Sequence, residues 1–402
     1  MKQKKTSIKI KKSKHNLYNK KKSKSRQTLT IVLTVVAACV LGVVGYGIGK
    51  PIMNYFQTRG EHTDSSDPGG TSSDISSEIS SDNSFEDSSG DSSGSDTPPV
   101  PPEVEDIKLY VLPVDATASS ASLGSALAAA KEAGYDTVAV TLKDENGYLY
   151  YKTEVERVRY DSIIVKGTLT AAQIAEQITN AGMTPAAKIS MLKDRITPMY
   201  FGGFTFENGT HWLDDYPPPD GSGKRWLSPF VPESVQYLTN IASELAGAGF
   251  EHIICENITY PAFHPIDIDT YLKHLSLTDR TKRLNALWDM ADAAKGAVEA
   301  HGAKLWLELN GADFIKADRF GTNAEIAGDS EKLGSVGVIV SYSQSGTESV
   351  YDNAKAFAGS LRTAAGENND IAVLVKRGTS GAVSEDIRRA FEENGLRLFT
   401  EN

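Results

Sequence analysis

From residue 107 onward, short apolar runs alternate with longer amphipathic ones. The apolar runs are Leu109–Asp115, Thr137–Lys143, Thr184–Ser190, His252–Ile258, Lys304–Asn310, Gly337–Ser343, Ile371–Arg377 and Arg397–Thr400. Most are rich in Val, Ile, Leu and Ala with no strict polar alternation, the pattern of parallel strands buried on both faces. Between them, helical spacing predicts helices over Ser122–Glu132, Thr170–Ala181, Pro232–Ala246, Thr281–His301, Glu348–Ala364 and Ser384–Asn394. Thr170 followed three residues later by Gln173 reads as a capping box, and Pro232 suits a first helical turn. Gly134, Gly182, Gly249, Gly302 and Gly395 each stand just before the next strand, where a helix ends in a left-handed residue.

Eight strands in this rhythm predict a (β/α)8 TIM-type barrel over residues 106–402. An open doubly wound sheet is the alternative. No Gly-rich phosphate loop follows the first strand, which argues against a dinucleotide site. The longest irregular stretch, Met191–Pro229, follows the third strand and carries Tyr200, Phe201, Phe204, Phe206, Trp212, Tyr216 and Trp226. On a barrel it emerges at the C-terminal rim, where half or more of these rings would form a local core and the rest could stack on sugars.

The first hundred residues follow different rules. Residues 1–27 hold twelve Lys or Arg and no acid. Residues 28–49 carry no charge and, as a helix, rise about 33 Å, enough to cross a bilayer core. The cations before this stretch predict a cytoplasmic N-terminus and an outward-facing C-terminal domain, held at the cell membrane by an uncleaved single-pass anchor. Residues 50–105, rich in Ser, Asp, Gly and Pro, read as a disordered spacer. The chain's formal charge of −10 combines +12 in the tail with −22 over the remainder. That balance excludes nucleic acid as an expected partner of the exported part. Of the two cysteines, Cys39 lies in the apolar span and Cys255 in a strand, so no disulfide within one molecule is expected. A domain of this size can do without one.

Candidate chemistry sits at strand ends. Glu256 falls late in the fourth strand and Glu308 late in the fifth. Parallel strands that bring two acids to one rim build a two-carboxylate, sugar-cleaving site. The pattern alone leaves open whether the pair would retain or invert the anomeric centre. Asp115, Lys143, Asp144, Trp226, Tyr260, Asn310, Tyr342 and Gln344 occupy strand ends or rim loops and are candidate sugar contacts. Lys188 reads as a structural ion-pair partner. No His, Asp or Glu set has metal-ligand spacing, so neither a metal nor a cofactor is expected.

Three segments carry a resemblance: Val138-Ala-Val-Thr-Leu-Lys-Asp-Glu-Asn-Gly-Tyr-Leu-Tyr150, Trp226-Leu-Ser-Pro229 and Gly249-Phe-Glu-His-Ile-Ile-Cys-Glu-Asn-Ile-Thr-Tyr-Pro261. In this order the chain resembles a glycoside-hydrolase-like barrel family, once described only as a domain of unknown function and similar to the α-amylase-type barrels. That family's usual patterns are Asp-Val-Lys-Asp-x-x-Gly, Trp-x-Asp-Pro and Phe-Asp-Tyr-x-Arg-Phe-Pro. The resemblance implies Glu256 as nucleophile and Glu308 as general acid/base. It also exposes departures: Thr141, Ser228 and Glu256 stand where the family has Asp, and Thr259 where it has Arg. The expected function is a membrane-anchored glycoside hydrolase acting on a polysaccharide or envelope glycan. The alternative is a non-catalytic glycan-binding or scaffolding barrel.

Overall fold

A computed structural model describes residues 106–401, except 215–222, 345–348, 367–369 and 377–382. The basic tail, the apolar span and the spacer of the sequence reading lie outside the described residues, as do Tyr216 and Arg377. Among the described residues no helix is long and apolar enough to cross a membrane.

Eight parallel strands close into one barrel in the order β1 to β8. They are β1 Ile107–Leu112, β2 Thr137–Lys143, β3 Thr184–Ser190, β4 His252–Glu256, β5 Lys304–Asn310, β6 Gly337–Ser341, β7 Ile371–Lys376 and β8 Arg397–Glu401. Around them run α1 Ser120–Glu132, α2 Ala171–Asn180, α3 Pro232–Gly247, α4 Arg280–Glu299, α5 Gly311–Phe314, α6 Ser330–Leu333, α7 Val350–Ala365 and α8 Glu385–Glu392. The doubly wound alternative is thereby ruled out, because β1 pairs with both β2 and β8. The expected capping box is present at Thr170 and Gln173.

Boundaries differ where local chemistry overrides the apolar pattern. Pro113 cannot donate to the ladder, so β1 stops at Leu112 and Asp115 falls in a single 3-10 turn, Val114–Ala118. Asn257 is left-handed, with φ 55°, so β4 ends at Glu256 rather than running on to Ile258. Between β5 and β6, where helical periodicity is too short to register, the chain forms the one-turn helices α5 and α6.

The lumen is a packed core, not a channel. Leu109, Ala139, Ala186, Ile254, Trp306, Ile339, Leu374 and Phe399 form its central layer. Trp306 meets Phe399 edge-on at 5.1 Å. Its bulk fits because Gly337 on the adjacent strand has no side chain; a Cβ there would lie 2.6 Å from the indole. A larger apolar shell joins the outer strand faces to the helices, with Leu127, Ile174, Ile241, Leu287 and Leu361 fully buried within it. Alternation along each strand therefore aims one set of residues at the helices. The other set points into the lumen and, at the strand ends, toward the rim.

Candidate active site

The lumen residues just above the central apolar layer are charged. Glu256 is the last residue of β4 and pairs in register with Ser190 of β3. Glu308 lies in β5, two residues above Trp306 and on the same face. Lys188 lies in β3 in register with Ile254, one layer below Glu256. Its long side chain rises to the rim, where Nζ is 2.9 Å from Oε1 of Glu256 and 3.1 Å from Oε2 of Glu308. Both oxygens contact one nitrogen, so they are no more than about 6 Å apart.

The three side chains are not equally accessible. Lys188 is 7% exposed, Glu308 19% and Glu256 28%. The ammonium thus forms the floor of the site, and the carboxylates stand nearer to solvent. Lys188 meets Glu256 through Oε1 and Glu308 through Oε2. Asn257 fixes this end of the strand: its amide donates to Ser190 Oγ at 3.0 Å. The backbone N–H groups of Met191 and Leu192 donate to the carbonyls of Glu256 and Asn257. A left-handed non-glycine residue directly after a candidate nucleophile is the kind of strained position that clusters at functional sites.

The electrostatics separate the two acids. Burial raises the proton affinity of Glu308; Lys188 opposes this, while Glu256 and Glu401 add to it, and the balance leaves its pKa above the usual carboxylate range. Burial alone would favour a neutral Lys188, but Glu308 and Glu256, followed by Glu401, outweigh it and hold the ammonium protonated. Glu401 is the last residue of β8 and the third carboxylate in this field. This third acid comes from the eighth strand. Lane parity in β8, Arg397–Phe399–Glu401, was the available signal, but the predicted strand stopped at Thr400. Lys188 was identified only as a structural partner. Its place two residues before Ser190, on the face of Ala186, was the clue to its position between the acids.

Several predicted sugar contacts prove to be occupied elsewhere. Lys143 is fully buried, 2.9 Å from Asp194, and donates to the Ser190 carbonyl at 2.7 Å, so it braces two rim loops and does not reach the cleft. Asp144 folds its own turn by accepting the N–H groups of Asn146 and Tyr148, each at 2.9 Å, and the Tyr150 hydroxyl at 3.0 Å. Trp226 is buried and donates its indole N–H to Asp214 at 2.7 Å. Tyr260 donates its hydroxyl to the Arg283 carbonyl at 3.0 Å. Tyr342 points toward the helices, between Phe357 and Phe391, with its hydroxyl on Asn353. Asn310 caps α5 through the Asp313 N–H at 3.0 Å. Gln344 is exposed at the rim. Asp115 lines a groove of about 440 Å³ with Thr117, Tyr150 and Lys166.

The aromatic loop after β3 is mostly core. Phe204, Trp212 and Phe263 pack with centroids 4.7–6.5 Å apart, and Trp212 donates to Asp267 at 2.9 Å. Tyr200 and Tyr271, each about half exposed, remain free to meet solvent.

The departures from the family pattern now have physical readings. Ser228 is fully buried and its hydroxyl accepts the Phe230 N–H at 3.3 Å, the turn contact an Asp could also make. Thr259 is buried and bonds toward the Thr322 carbonyl at 3.3 Å, so no cation reaches the site from that position. The cation beside Glu256 comes from β3 as Lys188. Cys255 is buried with its thiol pushed up to about 12 by burial and by Glu256, which makes it inert.

Residues 109–341 match a family model described as "Putative glycosyl hydrolase domain". Among solved structures, the chain is similar to the PgaB (BpsB) glycoside hydrolase domain from Bordetella bronchiseptica. The two share 14% identity over 74% of this chain and 94% of that one, with a TM-score of 0.50. A hypothetical protein from Ruminiclostridium thermocellum shares 20% identity over 50% of this chain and 96% of its own, with a TM-score of 0.38. No curated protein matches the chain.

Proposed function

Because the chain belongs to this glycosyl hydrolase domain family, we propose that it is a membrane-anchored glycoside hydrolase acting on a polysaccharide or cell-envelope glycan. The observation that carries the proposal is the juxtaposition of Glu256 and Glu308 at the C-terminal rim, joined beneath by Lys188. Glu308, deeper and biased toward its protonated form, is the general acid. Glu256, more exposed and paired to the ammonium, is the nucleophile. The paired oxygens lie within about 6 Å of each other, below the roughly 6.5–9.5 Å of inverting enzymes and compatible with the 5–5.5 Å of retaining ones.

In this mechanism Glu308 gives its proton to the glycosidic oxygen as Glu256 attacks the anomeric carbon. The C–O bond to the leaving sugar breaks and a glycosyl ester forms on Glu256. Glu308, now ionised, takes a proton from water, which releases the sugar with its configuration retained. The groove beside Asp115 and Tyr150 on the same face offers an aromatic ring, a carboxylate and the Lys166 ammonium to a neighbouring sugar unit.

The test is release of reducing ends from a panel of α- and β-linked polysaccharides by the full chain, with the anomer formed first read by proton NMR. Turnover that disappears in Glu308→Gln supports the reading, and a product that keeps the substrate's anomeric configuration supports retention. One observation favours the second reading, a glycan-binding barrel: a single ammonium neutralises a charge of the catalytic pair. Equal retention of polysaccharide by wild type and Glu308→Gln, with no turnover by either, would establish that reading instead. Outward orientation is tested separately by protease digestion of intact cells, which should remove the barrel and spare the basic tail.

A further inference from the structure

We propose that Lys188 is the positioning residue of this site, an ammonium floor that holds the Glu256 and Glu308 carboxyl groups at one separation and offsets the charge between them. Its consequence for catalysis rests on the hydrolase reading; its consequence for the two carboxyl groups does not. The first ground is geometric. Lys188 reaches both acids from one layer below, at 2.9 and 3.1 Å, and is itself almost fully buried. It contacts one oxygen of each, so it fixes their separation without standing between them and solvent.

The second ground is charge counting. Three carboxylates, Glu256, Glu308 and Glu401, act on one ammonium. Two acids within about 6 Å resist ionising together, so one proton stays in the set. Of the pair, Glu308 is the less exposed and Glu401 acts on it, which favours its protonated form. On the β2 side the charged neighbour is Lys143, already paired with Asp194 and the Ser190 carbonyl. It is not available to take over from Lys188. The third ground is the empty cationic position at Thr259: its hydroxyl turns to the Thr322 carbonyl, so the site's positive charge comes from another strand.

The experiment is carbodiimide labelling of the full chain across pH, with Glu256 and Glu308 read separately by peptide mass spectrometry and normalised to exposed Glu207. In the wild type, Glu308 should remain reactive to a higher pH than an ordinary exposed carboxylate. In Lys188→Met, the midpoint for Glu308 should rise by about one pH unit or more, because an adjacent cation no longer favours its ionised form. Lys188→Arg should restore it. If the polysaccharides are turned over, the basic limb of the rate profile should move up with the Glu308 midpoint. A Lys188→Met protein that shows the labelling change but, like the wild type, turns over no glycan upholds the role of Lys188 and counts against the hydrolase reading. A Glu308 midpoint in the ordinary range of an exposed carboxylate in the wild type, or one unmoved in folded Lys188→Met, would overturn the proposal. If the Met variant does not fold, Lys188→Gln carries the same test.

Discussion

The two ends of the barrel lumen are both charged, and they solve opposite problems. At the N-terminal end, Lys304 and Arg397 share Asp370, and Lys304 also lies 3.9 Å from the Trp306 ring centroid. His252 accepts the Trp306 indole N–H at 3.1 Å and is held down to about 4, by burial first and then by Lys304 and Arg397. This end has surplus cations, and its histidine stays neutral as a hydrogen-bond acceptor for a core side chain. At the C-terminal end the surplus is acid, with Lys188 serving Glu256 and Glu308 in the field of Glu401. Both clusters close the same apolar plug, but only the second leaves a carboxyl group inclined to keep a proton. A charged cluster on a barrel therefore signals chemistry when its charges fail to balance at the end where the long loops open.

The sharpest way to break this comparison is to neutralise one residue at each end. Glu308→Gln should lower kcat/KM on a turned-over glycan by about 10²–10⁴-fold, the range of a lost general acid. Lys304→Met should leave it within a few-fold of wild type. Equal losses at the two ends would show that both clusters act only through the fold.

Trp306 joins the two ends, so truncating it should damage stability itself. Trp306→Ala should cost about 3–5 kcal/mol in chemical denaturation, because the adjacent Gly337 and the small Ala139 and Ala186 cannot fill the space. A smaller effect is tied to pH. The pKa of His252 in the fold lies below its unfolded value of about 6.5, so the unfolded chain binds more protons as pH falls. Stability is then full above about pH 6.5 and declines toward pH 4, by up to about 3 kcal/mol. His252→Gln, which can still accept the indole N–H, should lose this component, and its urea midpoint should converge on that of wild type as pH drops. Gly337→Ala is expected to cost about 1–3 kcal/mol by forcing a methyl against the indole. An unchanged unfolding midpoint would mean that Trp306 shifts freely and that the central layer is looser than its contacts imply.

The barrel was legible because β2, β3 and β5 are long, apolar and separated by helical periods, and because glycine marks the return to five of the strands. Legibility failed where single residues act against the pattern. Pro113 removed Asp115 from a strand, and Asn257 cut β4 short at Glu256. Stopping the eighth strand at Thr400 hid Glu401. Among the site residues, strand position alone singled out Glu256 and Glu308, since an acid ending an apolar run has few reasons to be there. The same rule misjudged Lys143, Asp144 and Tyr342, whose partners are Asp194, a local turn and Asn353.

What the sequence determined by itself was periodicity: which segments are strands, in what order, and which residues fall near their C-terminal ends. Those are properties of local spacing and of the alternation that a pleated backbone imposes. What only the tertiary structure decided was partnership. Lys188, Glu256, Glu308 and Glu401 come from four strands and lie between 52 and 213 residues apart in pairs along the chain. Their meeting depends on barrel closure and on a register that sets Lys188 one layer below Glu256. Charge balance is a property of that meeting, because an ion pair depends on distance in space and not on distance along the chain.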